Sequence, residues 1–221
     1  MSLTTKTQRF AGLLFLLQLV PYFIGHELIL GEVLYQDDLL LSVQSNRHQI
    51  GLAVILEILS AFSFIGFSVI LYQQFALFSK SLSIFYLGVR FVEFALIIIS
   101  QIKLTTLMSL ASLTTPETYH TTLAMALKSE WVWISLIYML LFSINACIFY
   151  YLLYQSPLLP KFISIWGFIG AVFAFIGPIS YLFQIKTGLG MFLYLPIGSN
   201  ELCIALWLLI KPTKGISSYP R

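Results

Sequence analysis

Charge is what this chain has least of. Asp, Glu, Lys and Arg make up 10% of its 221 residues, where a soluble domain carries about a quarter. With 59% hydrophobic residues and a mean hydropathy of +0.91, nothing here suggests a large water-soluble part. The formal net charge is +3, but the basic residues stand in ones and twos between apolar stretches. No run of Lys and Arg is long enough to make a phosphate-binding patch, so nucleic acid is not an expected partner. Cysteine is nearly absent. Cys147 and Cys203 both fall inside apolar segments, without CxxC or Cys/His spacing, and read as small core residues rather than metal ligands or a redox pair. Histidine is sparse too: His26, His48 and His120 fall on one side of the chain's apolar segments, near Glu27, Glu32, Asp37 and Asp38, and their spacing matches no metal pattern. GxSxG, HExxH and a Gly-rich phosphate loop are all missing. Neither a cofactor nor a reaction is implied, and an intramembrane enzyme acting on lipid is only a minor alternative.

What the chain does have is six apolar segments, roughly 10–31, 50–72, 82–103, 131–154, 162–184 and 189–210. Each is near the ~20 residues that a helix needs to cross the hydrocarbon core. Barrel strands would be ~10 residues long with alternating polarity, which these runs lack. The fold class expected is all-α: a polytopic membrane helix bundle of six transmembrane helices, forming one domain over 1–211, with a short polar tail at 212–221. Lys6 and Arg9 before the first run resemble a secretory signal, but the run is too long and no A-x-A-like cleavage site follows. A retained first helix is expected.

The charges between segments orient the bundle. With the N-terminus inside, the inner connections hold Lys6, Arg9, Lys80, Lys161, Lys211, Lys214 and Arg221 and no acid. The outer ones hold Arg47, Lys103, Lys128 and Lys186, with Glu32, Asp37, Asp38, Glu117 and Glu130. Seven basic residues against four is the positive-inside bias, which puts both termini in the cytoplasm. Pro157 and Pro160 stop the fourth segment and open the fifth. In the long outer connection 104–130, Thr115-Pro116-Glu117 reads as a helix start, so a short surface helix is expected there. Trp131 and Trp133 suit the outer interface.

The informative residues are those that should not be in lipid: Glu57, Arg90, Glu93 and Glu201. A charge near a helix centre costs ~2.5–3.5 kcal/mol on insertion scales, so it faces the bundle interior and meets a partner. Arg90 and Glu93 are three apart and share a helical face, which Tyr86, Ser100 and Gln101 extend. Tyr194, Gly198 and Glu201 make a similar stripe in the sixth segment. There Pro196 and Gly198 interrupt the ladder beside Asn200 and Glu201, either as a plain kink or as in the broken helices of transporters. Asn145 and Gln18 are further hydrogen-bonding candidates. Two readings fit the cluster of Arg90, Glu93, Glu201, Glu57, Asn200, Tyr86 and Tyr194. In one, Glu93 and Glu201 clamp Arg90 and fix helix register. In the other, three carboxyls against one guanidinium leave an acid free to bind or pass a small solute, an ion or a proton. The partners expected are therefore the lipid bilayer and such a small species, or else another membrane protein for which this chain is a structural or interaction subunit.

Four stretches carry a family likeness. "RFAG" opens the first helix at Arg9–Gly12, and "VRFVEFALII" spans Val89–Ile98. "LLYQSPLLPKFISIWGFIGAV" spans Leu152–Val172, and "ELCIALWLLIK" closes the sixth segment at Glu201–Lys211. On these the chain resembles, over nearly its full length, an uncharacterised bacterial membrane family, domain of unknown function 4386. The family's Arg-x-x-Glu and the Glu preceding Trp-Leu-Leu fall on Arg90, Glu93 and Glu201. Gln49 stands where the family opens its second helix with an arginine. The resemblance implies a six-helix multi-pass protein of the bacterial inner membrane and supplies no activity.

Overall fold

In the computed structural model, residues 4–113, 118–185 and 188–211 are described. Helix α1 (Thr5–Val33) holds a π-helical stretch at Phe23–Leu30. A short α2 (Leu39–Ser45) follows, its first turn capped by the Asp38 carboxylate accepting from the Leu41 amide at 3.0 Å. Then come α3 (Arg47–Phe75), α4 (Lys80–Ala111), α5 (Thr118–Gln155), α6 (Lys161–Leu182) and, after a 3-10 turn at Gly190–Leu193, α7 (Leu195–Ile210). No strand occurs among the described residues. Five of the helices, α1 and α3 to α6, are long and apolar enough to cross a membrane. The sixth apolar segment forms the 16-residue α7, ~24 Å at a rise of 1.5 Å per residue.

Connection lengths set the neighbours. The tight turns after Phe75 and Gln155 fold α3 against α4 and α5 against α6, and α4 also packs on α5. Helix α7 packs on both α6 and α1, and α1 on α3, so α1, α3, α4, α5, α6 and α7 close into a ring. Gly12 lets α1 meet α7 closely: a Cβ there would stand 3.0 Å from the Ala205 carbonyl oxygen. The carboxamide of Gln8 donates to the Leu208 carbonyl at 3.1 Å and to that of Lys211, covering carbonyls that the end of a helix leaves unpaired.

Two elements differ from the expectation. The fourth segment does not begin near residue 131 with a separate surface helix before it; one continuous 38-residue helix starts at Thr118. No Gly or Pro interrupts Thr118–Glu130, so the helix simply continues past the apolar zone. The expected start at Thr115-Pro116-Glu117 lies outside the described residues, as do Lys186 and the 212–221 tail with Lys214 and Arg221. At ~48 and ~57 Å, α4 and α5 exceed the ~30 Å hydrocarbon core. Their excess, with α2, buries a second apolar cluster that includes Leu34, Val43, Leu107 and Trp131.

The distribution of polarity is inverted relative to a water-soluble fold. Ile55, Phe62, Phe91, Phe162 and Ile169 are at least half exposed, whereas Glu57, Arg90, Glu93, Asn145 and Asn200 are at most 3% exposed. Apolar side chains on the rim and ionisable ones in the middle fit a ring surrounded by hydrocarbon.

Candidate functional site

The ring interior holds two polar clusters. In the first, Arg90 Nη1 donates to Glu93 Oε2 at 2.7 Å within one face of α4. From α5, Asn145 Nδ2 donates to Glu93 Oε1 at 3.1 Å and to the Tyr86 carbonyl at 3.2 Å. The guanidinium carbon lies 3.8 Å from the centre of the Phe64 ring and 5.0 Å from that of Tyr86, within range of cation–π attraction. The Tyr86 hydroxyl shares a hydrogen bond with Ser68 at 3.0 Å. Three helices thus meet through one ion pair, while Arg90 Nε and Asn145 Oδ1 have no hydrogen-bond partner among the described residues.

The second cluster lies toward α2. Glu57 on α3 is 1% exposed and is held from two sides. Gln101 Nε2 of α4 donates to its Oε2 at 2.6 Å, and His26 Nδ1 of α1 stands 3.2 Å from its Oε1. The Gln101 amide also donates to Ser100 Oγ at 2.9 Å. The imidazole is sandwiched between Tyr22 and Trp131, with ring centres 4.9 and 4.8 Å away. Gly25 permits this closeness: a Cβ there would come within 3.1 Å of the Ala53 carbonyl oxygen on α3. His26 sits in the π-helical stretch, a geometry that is rare and often marks a site of function. A cavity of about 10 Å³ opens beside the pair, lined in part by Tyr22, Ser100, Ser135 and Tyr138. That is the lower limit for one water molecule.

The other sequence candidates stand outside the direct Arg90–Glu93 contact. Glu57 is not among Arg90's partners. Glu201 on α7 is 8% exposed and closes no hydrogen bond or ion pair with a described residue, but it lies within electrostatic reach of both Arg90 and Glu93, so it borders their pair without joining the direct contact. Asn200 Nδ2 donates to the Ile163 carbonyl at 2.8 Å, tying α7 to α6. Tyr194 precedes α7 and fills the space over Gly177, where a Cβ would fall 2.1 Å from its hydroxyl. His48 and His120 do not join His26, and among the described residues no group of three His, Cys, Asp or Glu converges as a metal site. Reading the sequence missed His26 and Trp131 as partners. The available signal was His26's place inside the first apolar run, one turn from Tyr22.

A family model matches residues 10–211: domain of unknown function (DUF4386). The chain belongs to the DUF4386 family. Both polar clusters lie within the matched residues, so they belong to the DUF4386 domain itself. No curated protein and no solved structure matches this DUF4386 member.

Proposed function

We propose that this chain is a six-span protein of the bacterial inner membrane that takes up a proton at the His26–Glu57 pair. In this reading α7 is the sixth span and both termini are cytoplasmic. The basic residues at the end of the ring shared by Lys6, Lys80, Lys161 and Lys211 support that orientation. The observation that carries the function is the cavity beside His26 and Glu57. It has room for about one water, which suits a proton and leaves no space for an organic solute. A cation would require several oxygen ligands, and among the described residues Glu57 is the only carboxylate lining the cavity. Histidine is also the side chain that ordinarily changes charge between pH 5 and 8. The groups facing it are Tyr22 on its own helix, Glu57 on α3, Ser100 and Gln101 on α4, and Trp131 and Tyr138 on α5.

The proton is counted by titrating detergent-solubilised protein in weakly buffered solution with a pH dye. On acidification the wild type is expected to bind about one proton more per chain than His26→Gln. Equal uptake by the two rejects the reading. Vesicles loaded with the same dye show whether the bound proton is also passed across.

The Arg90–Glu93 pair has a different part in this reading: it holds α3, α4 and α5 in register. The single bond to Glu93, the Phe64 ring over the guanidinium and the Asn145 bridge favour that role.

A further inference from the structure

A groove of about 160 Å³ runs between the C-terminal end of α5 and the first turns of α6. Its walls include the apolar side chains of Ile165, Phe168 and Ile169, which the ring leaves exposed. Tyr150 and Ser164 line it too, each only 1% exposed, and neither Tyr150 Oη nor Ser164 Oγ has a hydrogen-bond partner among the described residues. The bare Gly167 makes room for the tyrosine: a Cβ there would stand 2.0 Å from Tyr150 Cε1. Two unpaired hydroxyls beside an opening that faces hydrocarbon are costly unless something other than water supplies an acceptor.

Charge marks the mouth. Lys161 begins α6, is exposed, and sets its ammonium 4.9 Å from the centre of the Tyr154 ring. It forms no ion pair with a described residue. Lys6, Arg9, Lys80 and Lys211 share its end of the ring, with no described acid among them. Ser164 lies three residues on, ~4.5 Å deeper on the same face. A cation, then hydroxyl donors, then apolar walls repeat the order of phosphate, ester carbonyl and acyl chain in a phospholipid.

We propose that this groove binds one anionic phospholipid from the adjacent leaflet, its phosphate on Lys161, an ester carbonyl toward Ser164 and Tyr150, and one chain along Ile165, Phe168 and Ile169. Occupancy is independent of proton uptake at His26, because the groove lies toward the opposite end of the ring.

Native mass spectrometry of the full chain in detergent, titrated with phosphatidylglycerol or phosphatidylcholine, tests the site. One phosphatidylglycerol should be retained about fivefold more tightly than phosphatidylcholine, the effect of one lysine near an anionic surface. Lys161→Gln, at an exposed position that leaves the fold intact, should abolish the preference, and Ser164→Val should weaken both lipids. Lys80→Gln, at the same end but on α4, should change neither. Equal retention of the two lipids by the wild type, undiminished binding in either groove variant, or an equal loss with Lys80→Gln would overturn the assignment.

Discussion

Glu93→Leu lowers the unfolding free energy by about 3–5 kcal/mol, the loss seen when one partner of a buried ion pair is removed. The size follows from what is left behind. Arg90 is 3% exposed, and among the described residues Glu93 is the one acid in direct contact with it. A guanidinium cannot shed its charge by releasing a proton. It would remain ionised against Phe64 and Tyr86, with Asn145 having lost one of its two acceptors as well. Arg90→Leu should cost less, because an orphaned carboxyl can neutralise itself by taking a proton and still accept from Asn145. The double variant Arg90→Leu/Glu93→Leu should recover most of the loss, since apolar replacement of both partners is often near neutral. Urea or thermal unfolding in detergent, run as a double-mutant cycle, reads all three values. Additive losses would mean that the pair does not hold the helices together.

Gly170→Val separates α6 from α7. An added Cβ at residue 170 would lie 2.8 Å from the Ile197 amide nitrogen and 2.9 Å from its Cα. These are backbone atoms and cannot swing aside as a side chain could. Overpacking of this kind typically costs 1–3 kcal/mol. Helices in lipid also depend on small residues for close approach, because hydrocarbon gives little drive to associate. The valine variant should therefore melt at lower temperature and lose the Asn200 bond to Ile163, which crosses the same contact. Gly51→Val is the matched control, since nothing lies within 4 Å of a Cβ there. Equal melting of the two variants would show that the α6–α7 contact adds no stability.

How far these arrangements can be read in the sequence depends on which physical demand sets them. Hydrocarbon demands apolar runs, so the cores of α1 and α3 to α7 are legible from hydropathy alone. It also demands that ions turn inward, so Glu57, Arg90, Glu93 and Glu201 stand out in the sequence itself. Helix ends are another matter. Hydropathy follows depth in the membrane, whereas α5 continues to Thr118 because nothing in its polar first turns breaks a helix. Partner choice was less legible still. Matched depth makes Glu201 a candidate for Arg90, and the two do lie within electrostatic reach, but depth does not tell which carboxyl closes the direct contact. His26 meets Glu57 where the chain has widened into π turns after Pro21, and no residue pattern announces that change of register.

The proton uptake proposed at His26 and Glu57 can be watched through Trp131, whose ring stacks on the imidazole at 4.8 Å. A protonated imidazole attracts the indole face and quenches its emission. The difference in fluorescence between wild type and Trp131→Phe, followed from pH 8 to pH 5, isolates that ring from Trp133, Trp166 and Trp207. A single sigmoidal quench that disappears in His26→Gln and shifts in Glu57→Gln is the predicted result. A flat difference signal across the range, or the same sigmoid in His26→Gln, would contradict the account.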